Sequence, residues 1–422
     1  MIGHTRRPLF GSGVAIVLAL VLAAPASASP GPGKLDRTFG RRGAVLLAFP
    51  NEPAAYGYDV AIQPDGRIVV VGEVDHGNFR YDLAVARLLP DGRPDASFGS
   101  GGEVVTDVGD AYARSVAIQP DGKIVVGGTT QLGGSSPRFL LVRYLPDGSL
   151  DPSFGDQGVS VSFFGYVEDI AVGPDGTIVA AGGSMSAFSV ARFLSDGSPD
   201  PGFGQGGEVT TPFGQAGGHP TSVIVQPDGS IVAGGWKGQY YQAFALARYL
   251  PDGTPDPTFG SKGVVVTKAG RIAGIQAIAL QSDGSIVCAA FSSIRVFTVV
   301  RYRLDGTLDA TFGRGGFASA RMRSGEPTSI AVEPDGDIVA GGLIDDQAGG
   351  RRLAVAAFRP SGSRDPAFGG DGLVVTDLFP DAYPPIYQAA NGIAIDADGR
   401  VVVAGEAHIS PDGMLVARYL GA

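Results

Sequence analysis

The sequence predicts an all-β protein, a seven-bladed β-propeller of four-stranded antiparallel blades, on three observations. A Phe-Gly marker recurs at Phe39, Phe98, Phe154, Phe203, Phe259, Phe312 and Phe368, at intervals of 49 to 59 residues. An Asp-Gly turn, usually preceded by Pro, recurs at Asp65, Asp121, Asp175, Asp228, Asp283, Asp335 and Asp398. Each repeat holds four short stretches rich in Val, Ile and Ala, and no stretch beyond the N-terminus has helical periodicity. Four strands per unit, seven times over, is the pattern of propeller blades. A β-solenoid is the rival, but its coils are shorter and lack paired hairpin turns. The composition agrees. Gly at 66 and Pro at 30, beside 44% hydrophobic residues, suit many strands joined by tight turns.

Residues 1–28 read as a secretory signal peptide. Arg6 and Arg7 supply its positive region, Val14 to Ala24 its apolar region, and Ala26-Ser27-Ala28 the small-residue cleavage pattern. The apolar run is too short to span a bilayer comfortably. Residues 29–422 follow as a single domain of seven repeats, each about 53–55 residues long.

The copy from Val116 shows the elements in order. Val116 to Gln119 and Ile124 to Gly127 are apolar strands around the turn Pro120-Asp121-Gly122, where Pro presets φ and Gly takes positive φ. Phe139 to Leu145 is the third strand and Val159 to Phe163 the fourth. The fourth alternates Val with Ser or Thr, so it should lie outermost, with the apolar hairpin innermost. The last repeat ends after its third strand, and the chain opens with an orphan fourth strand, Ala44 to Phe49. That strand is expected to complete the last blade and close the ring, covering two edges that otherwise invite aggregation.

A repeated arginine, at positions 87, 143, 192, 248 and 301, is expected to brace the turn leading to the outer strand. Its partner is read as the Asp four residues on (Asp91, Asp147, Asp196, Asp252 and Asp305), because the sixth copy loses both, as Ala357 and Ser361. The alternative partner is the Asp before Phe-Gly, such as Asp151 or Asp256, which every copy keeps.

Three motifs carry a family resemblance: Leu150-Asp151-Pro152-Ser153-Phe154-Gly155, Gln119-Pro120-Asp121-Gly122-Lys123-Ile124-Val125-Val126-Gly127, and the Arg-Tyr-Leu-Pro-Asp-Gly stretch at 143–148. Over about residues 35–420 the chain resembles the delta-60 repeat family of bacterial secreted proteins. The resemblance implies a propeller-like fold and export, to the cell exterior or envelope. It brings no catalytic motif with it.

The chemistry-bearing residues are sparse. The formal net charge is −10, and loss of Arg6 and Arg7 with the signal makes it about −12, which opposes nucleic acid and anionic membranes as partners. The single cysteine, Cys288, sits where sibling copies have Val or Ala and reads as core filler. His76, His219 and His408 fall in different repeats, and no zinc, phosphate-loop or serine-elbow motif is present. The recurring Asp-Gly-x-x-Asp would allow structural calcium, but serves nearly every blade and reads as turn chemistry. No cofactor is therefore expected. The adjacent acids Glu168-Asp169 and Asp345-Asp346 read as solvated loop charges.

Function is expected on one face. The turns joining first to second and third to fourth strands share a face and are nearly identical between copies. The other two sets of loops differ in length and content, and collect Tyr81, Tyr112, Arg114, His219, Trp236, Tyr240, Tyr241, Tyr383 and Tyr387. Tyr, Trp and Arg are common anchors of binding surfaces. The sequence thus points to a monomeric, secreted, non-catalytic binding or scaffold protein holding an extracellular glycan or protein there. The alternative is a propeller enzyme, a hydrolase or lyase acting on extracellular glycans.

Overall fold

Each repeat folds where its turns dictate. In the first blade the strand Ala54–Ile62 turns at Pro64-Asp65-Gly66 into Ile68–Asp75, then come Tyr81–Leu88 and Glu103–Thr106, all antiparallel in that order. Gly66 takes the positive φ of 82° that the turn demands. The computed structural model describes residues 31–49, 52–77, 80–131, 136–183, 187–238, 241–292, 297–320, 324–345, 349–380, 386–409 and 412–421. These form seven four-stranded sheets, and no helix lies among them. The signal-peptide assignment at 1–28 lies outside the described residues.

Six blades are continuous in sequence. The seventh combines Gln388–Ile395, Val401–Ala407 and Gly413–Tyr419 with the N-terminal strand Ala44–Leu47, which pairs Ala44 with Ala417 and Leu47 with Met414. The ring therefore closes as the sequence predicts, by a strand that ends at Leu47 rather than Phe49. First strands of neighbouring blades touch one another at all seven joints, so they line the central channel. The Val/Thr-type strands lie at the outer end of each sheet.

The second and third strands are almost wholly buried, because both faces of each sheet pack against neighbouring blades. This is why they read as continuous apolar runs instead of alternating ones. One cluster joins Val69, Val71 and Val85 of the first blade to Ala113, Ile124 and Val142 of the second. Cys288 is fully buried in such a layer, and burial pushes its thiol well above the usual range.

The arginine brace corrects one expectation. Arg87, Arg143, Arg192, Arg248 and Arg301 do not pair with the Asp four residues on. Each guanidinium bonds the Asp eight residues on, with Nε 2.7–2.9 Å from Asp95, Asp151, Asp200, Asp256 and Asp309. The reason is geometric. The nearer Asp is spent on its own turn, as Asp147 accepts from the N–H and hydroxyl of Ser149. The same arginine lies over the Phe of the Phe-Gly marker, 4.5–4.9 Å from the ring centroid, and donates Nη1 to a carbonyl of the next blade, such as Pro146 for Arg87. Arg418 makes the identical clasp to Asp36 and Phe39 across the closure. In the sixth copy, where Ala357 stands, Asp365 takes Arg359 instead.

Candidate functional site

All seven first strands carry a β-bulge at the same place. The register shifts at Tyr58, Arg114, Glu168, Thr221, Gln276, Thr328 and Asn391. A bulge turns the carbonyl two residues upstream towards the second strand, and this explains a glycine there. A Cβ on Gly72 would sit 1.8 Å from the Tyr56 carbonyl oxygen, and one on Gly128 2.0 Å from that of Tyr112. Bulges re-aim side chains and concentrate beside functional sites. Here Thr221, Thr328 and Asn391 donate to a carbonyl of the next blade, while Tyr58, Arg114 and Glu168 reach other side chains.

In the first four blades the residue after the bulge, Asp59, Ser115, Asp169 or Ser222, ties neighbouring blades together. Asp59 accepts from the N–H of Val116 at 2.9 Å, and Asp169 from that of Val223 at 2.8 Å. The Ser115 hydroxyl sits between both acids, 3.2 Å from Asp59 and 2.7 Å from Asp169. Glu168-Asp169 is therefore not a pair of solvated loop charges; both lie in a first strand at a blade joint. These carboxyls satisfy N–H groups on the otherwise unpaired inner edge of the next blade. Burial deep in the ring pushes Asp59 up to about 7, with Asp169 adding to the rise and the Val116 N–H opposing it.

Opposite pH signs follow for the clasp and the channel. Burial opposes ionisation of Asp151, but the Ser153 hydroxyl and N–H and the Arg143 charge outweigh it, holding the group at about 2. Clasp stability is thus full above the ordinary value of 3.8 and lost as pH falls towards 2. Asp59 behaves in reverse. Above its ordinary value the unfolded chain ionises while the folded carboxyl keeps its proton, so stability declines as pH rises from about 4 to about 7. The melting temperature of Asp59→Asn, measured against wild type across this range, should gain on wild type with rising pH. A constant difference would contradict the assignment.

The variable-loop face divides into two halves. Around the first and seventh blades the residues are acidic and aromatic. Tyr58 donates its hydroxyl to Glu73 Oε1 at 2.9 Å, and the Arg114 guanidinium lies 4.5 Å over the Tyr58 ring. Glu73 is 5% exposed, and its Oε2 is buried without a hydrogen-bond partner. Burial pushes Glu73 up to about 7; Tyr58 and Arg114 oppose this, and Glu406 and Asp75 reinforce it. Glu406 occupies the matching register in the seventh blade, as Glu73 faces Tyr56 and Glu406 faces Ala389. His408 stacks between Tyr56 and Tyr387, at 5.6 and 4.8 Å, and Arg351 lies 4.9 Å over Tyr387.

Around the fourth and fifth blades the face is aromatic. His219, Trp236, Tyr241 and Phe291 follow one another at centroid distances of 4.8, 4.5 and 5.1 Å. Gly274 leaves the room in which Tyr241 folds over Phe291. Tyr241 holds a φ of 54°, in the left-handed region that bulky residues avoid, and its carbonyl accepts from Ala273 N–H at 2.6 Å. Glu168 bridges towards this half, 3.0 Å from His219 Nε2.

The structure places the sequence candidates accordingly. Tyr81, Tyr112, Arg114 and Tyr387 gather around Glu73 and Glu406, with Tyr81 and Tyr112 stacked at 5.2 Å. His219, Trp236 and Tyr241 form the other half. Tyr112, Arg114 and His219 lie within first strands and Trp236 within a second strand, not in the loops. Trp236 is 9% exposed and His219 5%, so they support a platform whose presented ring is Tyr241, at 38%. Tyr240 and Tyr383 lie outside the described residues. Sequence reasoning missed Tyr58, Glu73, Glu406 and His408. A signal was present: Val71-Gly72-Glu73 and Ala404-Gly405-Glu406 put a carboxyl where sibling strands carry Thr, Gly, Trp, Phe or Leu.

The opposite face is repetitive. Its clefts lie between adjacent turns, and one of about 320 Å³ is lined by Gln63, Pro64, Arg67, Arg87 and Pro146. The same residue types return at other joints, so these are gaps left by the repeated clasp. Among the described residues no group of three or more His, Cys, Asp or Glu side chains is placed to hold a metal ion.

Six segments, 63–98, 119–154, 173–203, 226–259, 281–312 and 333–368, match the family described as "Domain of unknown function (DUF5122) beta-propeller". The match supports a propeller-repeat family without giving the narrower delta-60 name. No curated protein matches the chain. Solved structures at 12–14% identity match over most of the chain. A catalytically inactive virginiamycin B lyase from Staphylococcus aureus with quinupristin is 12% identical, covering 89% of this chain and 99% of its own, at a TM-score of 0.48. A PQQ-bound aldose sugar dehydrogenase from Streptomyces coelicolor is 14% identical, covering 92% and 100%, at 0.44. A gluconolactonase from Xanthomonas campestris is 12% identical, covering 89% and 99%, at 0.42. Their varied activities carry no argument for this chain, since one fold hosts many functions.

Proposed function

We propose that this propeller is a secreted, non-catalytic binding module that holds an extracellular glycan on its variable-loop face, over the mouth of the channel. The observation that carries the reading is the contrast between the faces. One repeats the same turn and clasp at most joints; the other carries an acidic and aromatic half and a purely aromatic half, built from residues that differ from blade to blade. Tyr241 offers a ring for stacking on a sugar, and the acids and arginines around Tyr58 offer acceptors and donors for hydroxyl groups. Hydroxyls and rings of this kind suit a ligand with one apolar face and a polar rim.

A specific observation favours one second reading. Glu73, held at about 7 beside Glu406, has the proton affinity of a general acid, as a glycan-cleaving enzyme requires. One experiment separates the two. The purified protein is screened on an array of extracellular polysaccharide fragments, and each fragment bound is followed by mass spectrometry. Binding without cleavage, weakened about tenfold by Tyr241→Ala at unchanged melting temperature, is the expected result, in line with the loss of one stacking anchor. Cleavage abolished by Glu73→Gln would establish the enzyme. Binding unaffected by changes on this face would overturn both.

A further inference from the structure

The acidic half of the face has a chemical need that a neutral sugar meets poorly. Glu73 lies at the joint of the first blade with its neighbours, 95% removed from solvent. One carboxyl oxygen takes the Tyr58 hydroxyl at 2.9 Å, and the other, Oε2, is buried and unpartnered. A buried acceptor left unmade is costly. The charged groups facing Glu73 are Arg114, Glu406 and Asp75, so acids outnumber cations around it. Arg114 stacks on the Tyr58 ring and, among the described residues, makes no hydrogen bond to Glu73.

We infer that the acidic corner at Glu73 and Glu406 receives a primary ammonium group, carried on an amino sugar of the bound glycan. This rests on the glycan-binding reading above and deepens it. An ammonium brings three donors and a full positive charge. One donor reaches Glu73 Oε2, which the protein's own groups leave unmatched. The charge offsets the two carboxyls, of which Glu406 opposes ionisation of Glu73. A neutral hydroxyl would satisfy the same oxygen without relieving the repulsion. Tyr58 positions Glu73 through its hydroxyl.

The test uses three tetrasaccharides of matched length: a β-1,4-glucosamine tetramer, its fully N-acetylated counterpart, and a neutral glucose tetramer, titrated calorimetrically into the full-length mature protein. The glucosamine tetramer should bind about tenfold more tightly than either of the others, the scale of one charge-assisted hydrogen bond. Glu73→Gln and, separately, Glu406→Gln should erase that preference, bringing the glucosamine tetramer to the affinity of the other two. Equal or tighter binding of the acetylated or neutral tetramer, sensitive to Tyr241→Ala, would overturn the ammonium site and leave the binding face intact. Failure of all three tetramers to bind would overturn the ammonium site, and failure of the wider array as well would overturn the proposed function.

Discussion

A chain lacking residues 31–49 should fail to reach a soluble folded state. The segment supplies the fourth strand of the seventh blade and with it Phe39, Leu47 and Phe49, each buried at 4% exposure or less. Burying each such side chain contributes about 1.5–3 kcal/mol, and a domain has only about 5–15 kcal/mol in all. The deletion also removes Asp36, whose carboxylate holds Arg418 at 2.8–3.0 Å, and the backbone bonds from Gly33 to Leu420 and from Leu420 to Lys34. The edge Gly413–Tyr419 would be left bare, apolar and open to pairing with another chain. Size-exclusion chromatography should show aggregate or no soluble product. A monomer melting within a few degrees of wild type would contradict the closure.

The second large effect is expected for Arg248→Ala. Arg248 and Asp256 are 6% and 5% exposed, with the guanidinium bonded to Asp256, the Leu304 carbonyl of the next blade and Thr258. Burial disfavours the Asp256 charge; the Thr258 hydroxyl and N–H and the Arg248 charge reverse this and hold the carboxyl below its usual range. Removing the arginine leaves that carboxyl buried without its cation, at a cost of about 3–5 kcal/mol. Thermal unfolding should drop by roughly 5–15 °C at neutral pH. Adding Asp256→Asn should recover part of the loss, since the two residues act as one unit. An unchanged melting temperature for Arg248→Ala would show the clasp to be ornamental, as would strict additivity of the pair.

The repeat made the fold legible. Phe-Gly, Pro-Asp-Gly and the Arg-Tyr-Leu stretch each mark a turn or a clasp, and a turn leaves its chemistry in adjacent residues. The closure was legible because the orphan strand at Ala44 matches the strand the last repeat lacks. Two features were not. The arginine partner was misplaced because the sixth copy loses both Arg and the Asp four residues on, as Ala357 and Ser361, while the turn at Asp147 folds the chain so that Asp151, the alternative, returns beside Arg143. The candidate site was only half legible for a related reason. A bulge inserts one residue and breaks the two-residue alternation, so Arg114, Glu168 and Tyr58 fell out of the strand pattern and were read as loop or overlooked. The influence of Glu406 on Glu73 crosses from the seventh blade to the first, a proximity that only ring closure creates.

The central claim is that the face with non-repeating side chains is the one that binds. The most direct measurement is amide hydrogen exchange of the protein with and without the glycan selected on the array. The account predicts added protection at 54–60, 111–116 and 241–243, and none at the turns around Asp65, Asp121 and Asp228. Protection confined to those turns would place the function on the opposite face and contradict the account.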